Sequence, residues 1–150
     1  MIRRPVLRRA LLAALLAGSA AAVAADAPAP PSFDGADPDI EAADGRYYIY
    51  PTNSGGTGRL HVWTSPDRHH WQKGAELIAL DRIGWIGADG AARHALWAPD
   101  MVAANGRHYL YYSVGPQNPT PSRIGVASCV GLEGPCPDSG KPLVNRGKGV

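Results

Sequence analysis

Apolar and polar positions alternate in short runs over most of this chain. After Phe33 no long stretch carries the roughly 3.6-residue apolar period of an amphipathic helix. Ile40 to Ala42 reads as a short strand, Asp44-Gly45 as a two-residue hairpin turn, and Arg46 to Pro51 as the returning strand. Asn53 to Gly58 is a glycine-rich loop. Arg59 to Ser65 reads as a third strand, with Leu60 and Val62 on one face and His61 and Trp63 on the other. Ser65-Pro66-Asp67 makes a turn, and His70 to Lys73 predicts a fourth, outer strand. Ala75 to His94, punctuated by Gly84, Gly87 and Gly90, reads as a connection.

The pattern then repeats. Ala36 to Tyr50 (ADPDIEAADGRYYIY) returns 61 positions later as Trp97 to Tyr111 (WAPDMVAANGRHYLY). Pro38 aligns with Pro99, Asp39 with Asp100, Gly45 with Gly106, Tyr48 with Tyr109 and Tyr50 with Tyr111. Leu96 opens the second unit, Asn105-Gly106 supplies its hairpin turn, and Arg107 to Val114 its returning strand. Gln117 to Ser122 is a Pro-containing loop. Arg123 to Cys129 mirrors Arg59 to Ser65, and Lys141 to Val144 predicts the outer strand. A four-stranded antiparallel meander recurring every sixty or so residues predicts an all-β protein of β-propeller type, with about two blades present. Such rings close with about four to eight blades. The expectation is therefore that residues 33–150 are the N-terminal two blades of a longer domain.

Composition alters this picture at the N-terminus. Arg3, Arg4, Arg8 and Arg9 precede an Ala/Leu run and an Ala22-Val23-Ala24 exit, the layout of a signal peptide over residues 1–25. The apolar run is too short and too Ala-rich for a membrane span. Residues 26–32 form a Pro/Ala linker. These features predict a secreted or periplasmic protein with no membrane association after cleavage. The chain holds 15 basic and 13 acidic residues, and losing the four signal arginines leaves 11 basic against 13 acidic. No nucleic-acid footprint remains. Cys129 and Cys136, in an exported chain, suggest a local disulfide, with two free thiols as the alternative.

The repeat also sorts the candidate chemistry. Asp39 recurs as Asp100, and a shared acid is most simply structural, its carboxylate accepting backbone N–H groups. Asp37 has no acidic counterpart, because Ala98 stands there, and it lies at the entrance to the first inner strand. It is the candidate for catalysis, against the reading of an ordinary turn aspartate. Trp97 and Trp85 are candidate sugar platforms, each weighed against plain packing. Trp63 and Trp71 read as packing residues, and His69 and His70 as solvated. His61 and His94 lack ligand-spaced partners, so no metal site is predicted.

ADPDI with DGRYYIY, SPDRHHW, LWAPDM with NGRHYLYY, and RIGVAS with GP together resemble glycoside hydrolase family 43, in family order from about Phe33 to Val144. The resemblance implies a five-bladed propeller that hydrolyses arabinan- or xylan-type pentose polysaccharides or oligosaccharides with inversion. Its general base falls on Asp37. Inversion needs two carboxyl groups roughly 6.5–9.5 Å apart. The family's general acid and the aspartate that tunes it are expected beyond Val150, and neither Glu76 nor Glu133 falls in a matching motif, so this chain alone is expected to be inactive. No cofactor is required by these residues, although the resemblance allows a structural calcium in the complete propeller. A carbohydrate-binding or inactive propeller is the alternative.

Overall fold

A computed structural model describes residues 35–52, 58–87, 91–116 and 122–145. The expected signal peptide, the Pro/Ala linker and most of the two expected loops after Thr52 and Pro116 lie outside the described residues. Among the described residues, seven strands form two antiparallel sheets. In the first sheet β1 (Ala36–Ala43), β2 (Arg46–Thr52), β3 (Arg59–Ser65) and β4 (Gln72–Ala79) lie side by side in chain order. The second sheet orders β5 (Ala95–Ala104), β6 (Arg107–Gly115) and β7 (Arg123–Cys129) in the same way. One 3-10 turn, Leu80–Arg82, links the sheets, and among the described residues no helix is long and apolar enough to cross a membrane.

The two hairpins show why the repeat folds twice alike. Asp44 and Gly45 have φ of 51° and 73°, and Asn105 and Gly106 have the same pair of values. Both central residues are therefore left-handed, which is the type I′ turn that matches strand twist and that Asp-Gly and Asn-Gly favour. The same bulge also appears in both sheets. The register slips between Ala36 and Asp39 on β1, and between Trp97 and Asp100 on β5. Pro38 and Pro99 sit inside these bulges, where the ladder does not need the N–H that proline lacks.

Strand lengths differ from expectation in three places. β1 begins at Ala36 rather than Ile40, because the bulge lets the Asp-Pro segment remain paired. β4 runs to Ala79 and takes up the start of the expected connection from Ala75. Its last residues, Leu77, Ile78 and Ala79, are buried, and two register shifts against β3 keep them in the ladder. In the second unit the expected outer strand from Lys141 to Val144 contracts to one bridge, Ile124 to Val144, beside a second bridge, Ala127 to Asp138.

A single hydrophobic cluster runs through both sheets, from Tyr50, Leu60 and Val62 to Leu96, Met101, Leu110, Tyr112 and Ala127. β3 alternates as its sequence predicts, with Leu60 and Val62 inside and His61 and Trp63 half-buried. Between β6 and β7 the ring of Tyr112 lies across Gly125, its register partner, and fills the place of the missing side chain. A Cβ at Gly125 would meet that ring at its hydroxyl end. Gly125→Ala is expected to lower unfolding free energy by about 1–3 kcal/mol, the usual range for overpacking. Adding Tyr112→Ala should cost less than the two single changes summed, a coupling that denaturant titration of the four proteins would read.

Candidate active site

The site is built from the Asp-Pro bulge upward. Asp37 is exposed and holds φ of 44°, a left-handed conformation that Asp and Asn tolerate better than other side-chain-bearing residues. Ala98 takes the same conformation in the second copy, at φ of 45°. The backbone feature thus belongs to the repeat, and only the first copy hangs a carboxylate on it.

Two hydrogen bonds bring β5 against the first sheet around this bulge, one to β1 and one to the end of β2. The Met101 N–H donates to Asp39 Oδ2 at 2.8 Å, and the Ala98 N–H donates to Thr52 Oγ1 at 2.7 Å. Thr52 pairs with Ala36, so Asp37 and the Trp97-Ala98 step lie on adjoining inner strands at the same end of the two sheets. Trp97 is half-buried there. Asp39 is an acceptor for backbone N–H; the donor comes from the neighbouring unit rather than from a local turn. Asp100, its repeat partner, is exposed.

Trp85 is placed differently. Its indole N–H donates to Asp138 Oδ2 at 2.8 Å, and Asp138 is bridged to Ala127 on the outer strand β7. Trp85 is therefore drawn between the outer strands and packs against the core, instead of joining Asp37 on the inner ones. The half-buried indole and its carboxylate partner fit the packing alternative weighed for Trp85. Asp138 is the residue that sequence reasoning missed. Its carboxylate also accepts the Tyr112 hydroxyl and the Gly140 N–H, joining the connection after β4 to the second sheet. Burial pushes the Tyr112 hydroxyl pKa up, and its bond to the Asp138 carboxylate, together with that charge, adds to the effect. Pro137-Asp138-Ser139-Gly140 looked only like a turn, and no local pattern marks its distant partners.

Glu76, on β4, pairs with Arg59 at 2.5 Å and with Arg82 at 3.8 Å, and Glu133 is exposed in the loop before Gly134. Cys129 and Cys136 are joined as a disulfide with Sγ atoms 2.01 Å apart. The loop it closes reaches back to the first sheet: Tyr50 donates its hydroxyl to Leu132 O at 2.9 Å, and the Cys136 N–H donates to Leu77 O at 3.1 Å. Burial, with the negative charges of Glu41 and Asp39 adding to it, pushes the Tyr50 hydroxyl pKa up and keeps it a donor. Among the described residues no three His, Cys, Asp or Glu side chains gather as a metal site.

The family model described as glycosyl hydrolases family 43 matches residues 31–149. The chain belongs to that family. Among curated family 43 relatives, a β-D-galactofuranosidase of Aspergillus niger is 34% identical over 77% of this chain and 36% of its own length. An extracellular endo-α-(1→5)-L-arabinanase of Bacillus subtilis is 30% identical over 71% of this chain and 35% of its own length. Among solved family 43 structures, a Cellvibrio cellulosa α-L-arabinanase superposes with a TM-score of 0.62 at 28% identity, over 76% of this chain and 36% of that one. A β-xylosidase/α-arabinofuranosidase from a compost metagenome, solved with xylotriose, gives 0.58 at 27% identity over 72% of this chain and 35% of that one. This family 43 chain thus spans about a third of the length of these relatives.

The inter-sheet carboxylate is open to direct measurement. Asp39→Ala strands the Met101 N–H and should lower unfolding free energy by about 1.5–3 kcal/mol. Asp39→Asn, which keeps an acceptor oxygen, should lose less; equal losses in urea titration would remove the hydrogen bond from the explanation.

Proposed function

We propose that this chain is the N-terminal part of a secreted, inverting glycoside hydrolase acting on arabinan- or xylan-type pentose polysaccharides or oligosaccharides, in a five-bladed propeller. Asp37 is its general base. The observation that carries this reading is the exposed carboxylate on a left-handed bulge that both units share, in the one copy where the residue is acidic. Family membership and the names of the relatives support the substrate class.

In this mechanism a water molecule attacks the anomeric carbon from the face opposite the leaving sugar. Asp37 takes the water's proton as the new C–O bond forms, and the glycosidic C–O bond breaks. A general acid protonates the departing oxygen. No residue of this chain is assigned that role, since Glu76 is held by arginines on the outer strand and Glu133 lies in the exposed loop before Gly134. Pro38 restricts the backbone on the far side of Asp37, and the bulge turns the carboxylate out of the ladder, so its direction is set before substrate arrives. Trp97, on the adjoining strand, offers a flat apolar face to a sugar ring.

Asp37→Asn is the informative substitution, because Asn keeps both the shape and the left-handed preference. In the complete protein it should lower kcat on linear arabinan, xylo-oligosaccharides and aryl furanosides by about 10²–10⁴-fold with the melting temperature unchanged. Aryl galactofuranosides belong in the panel, given the Aspergillus niger relative. The 150-residue chain alone should hydrolyse none of them. NMR of the first product anomer should show inverted configuration. Full activity in Asp37→Asn would remove this residue from the chemistry, and glycan binding without hydrolysis by the complete protein would favour a carbohydrate-binding propeller.

A further inference from the structure

The seam between the outer edges of the two units holds a cavity of about 420 Å³. β4 is the edge strand of the first sheet, and residues 135–140 run beside β7, the edge of the second. Buried Leu77 and Ile78 of β4 line one side of the cavity, and exposed Pro135 and Pro137 line the other. Arg82 and Asp138 supply its charged groups. In a propeller ring the inner strands face the axis and each further unit stacks on a sheet face. A seam between the outer edges of two adjoining units therefore stays open at the circumference.

The walls are held in place before any ligand arrives. Cys136 is tied to Cys129 by the disulfide, and its N–H donates to Leu77 O at 3.1 Å. The Ser128 N–H donates to Pro137 O at 3.0 Å. Three donors fix the Asp138 carboxylate: the Tyr112 hydroxyl on Oδ1, and the Trp85 indole and Gly140 N–H on Oδ2. A carboxylate offers about four lone-pair positions, so one on Oδ1 is left for a further donor. Arg82 lies 3.8 Å from Glu76, whose other oxygen is taken by Arg59 at 2.5 Å. So long a contact at an exposed position holds a guanidinium weakly.

We propose that this cavity is a second sugar site, which takes a neutral pentose residue of the polysaccharide on the outer edge of the protein. Proline rings and aliphatic side chains suit the C–H faces of a sugar ring, and burying that apolar surface favours binding. Each sugar hydroxyl both donates and accepts, so a neutral ring can satisfy the Asp138 carboxylate and the Arg82 guanidinium together. An anion would meet Asp138 and a cation Arg82, each a like-charge contact that disfavours it. The volume falls within the roughly 300–1,000 Å³ of small-molecule sites. The choice of a pentose rests on the hydrolase reading above. Asp37 stands on an inner strand and this cavity on the outer edges, so a polymer held at the second site has its other stretches concentrated near the first.

Methyl-resolved NMR of the complete protein tests this, with thio-linked xylotriose and thio-linked arabinotriose as probes that resist cleavage. The Leu77 and Ile78 methyl signals should shift saturably with at least one of them, in the millimolar range. Arg82→Ala should weaken that binding about tenfold, as expected for lost hydrogen bonds to a charged donor. Gly84 lines the cavity, and a Cβ added there meets open space. Gly84→Leu should therefore abolish the shifts by bulk; both positions are exposed, so each variant should keep the spectrum of a folded protein. Methyl glucuronide should bind more weakly than methyl xyloside. No shift with either triose, shifts undiminished in both variants, or equal or tighter binding of the glucuronide would each overturn the proposal. No bond is broken in this readout: shifts in a protein that hydrolyses nothing would leave the site standing and remove the hydrolase, whereas hydrolysis without the shifts would remove the site alone.

Discussion

The structure depends on one interaction between units: the backbone N–H of Met101 donated to the carboxylate of Asp39. A sheet of three or four strands in water cannot bury both faces by itself, and each unit here completes its core against its neighbour. The bond between Asp39 and Met101 fixes where the neighbour sits along the inner strands. With that register set, Tyr50 is enclosed and its hydroxyl meets Leu132 O, while the Cys136 N–H meets Leu77 O farther out. The disulfide loop then acts as an outer clasp, holding the tail of the second unit against strands of the first. Asp138 adds a polar tie on that outer side, receiving Tyr112 and Trp85 from two different segments.

This arrangement separates the scaffold from the candidate chemistry. The bulge at Asp37-Pro38 and that at Ala98-Pro99 share one backbone form, so the left-handed residue alone is not evidence of catalysis. A strained position occupied twice, once by alanine, is a feature of how these units turn into their inner strands. The carboxylate is what differs. Placed on a bulge near the start of the inner strand, it stays exposed, while Asp39 two residues on is drawn into the contact between units. Two acids flanking one proline thus receive different work from the same local geometry.

Much of this was legible in the residues. Alternation, the Asp-Gly and Asn-Gly turns and the internal repeat predict the antiparallel strands, and β3 and β7 begin and end where the pattern places them. The repeat also separates Asp37 from Asp39 and Asp100, because comparing two copies shows which acid is shared. What the sequence left open was non-local. Trp85 sits among glycines but is claimed by Asp138, far along the chain. β4 outran its expected end because Leu77 and Ile78 found a core, and the last expected strand shrank to a bridge.

The physical reason lies in what each level can encode. Sequence by itself determined the local geometry: where the hairpins turn and which residues alternate inward. Those properties are set by φ preferences and side-chain period, and they act over a few residues. Only the tertiary structure decided who completes each polar group and each apolar face. The donor for Asp39, the acceptor for Tyr50 and the partner of Trp85 all arrive from segments that become neighbours once the two sheets pack.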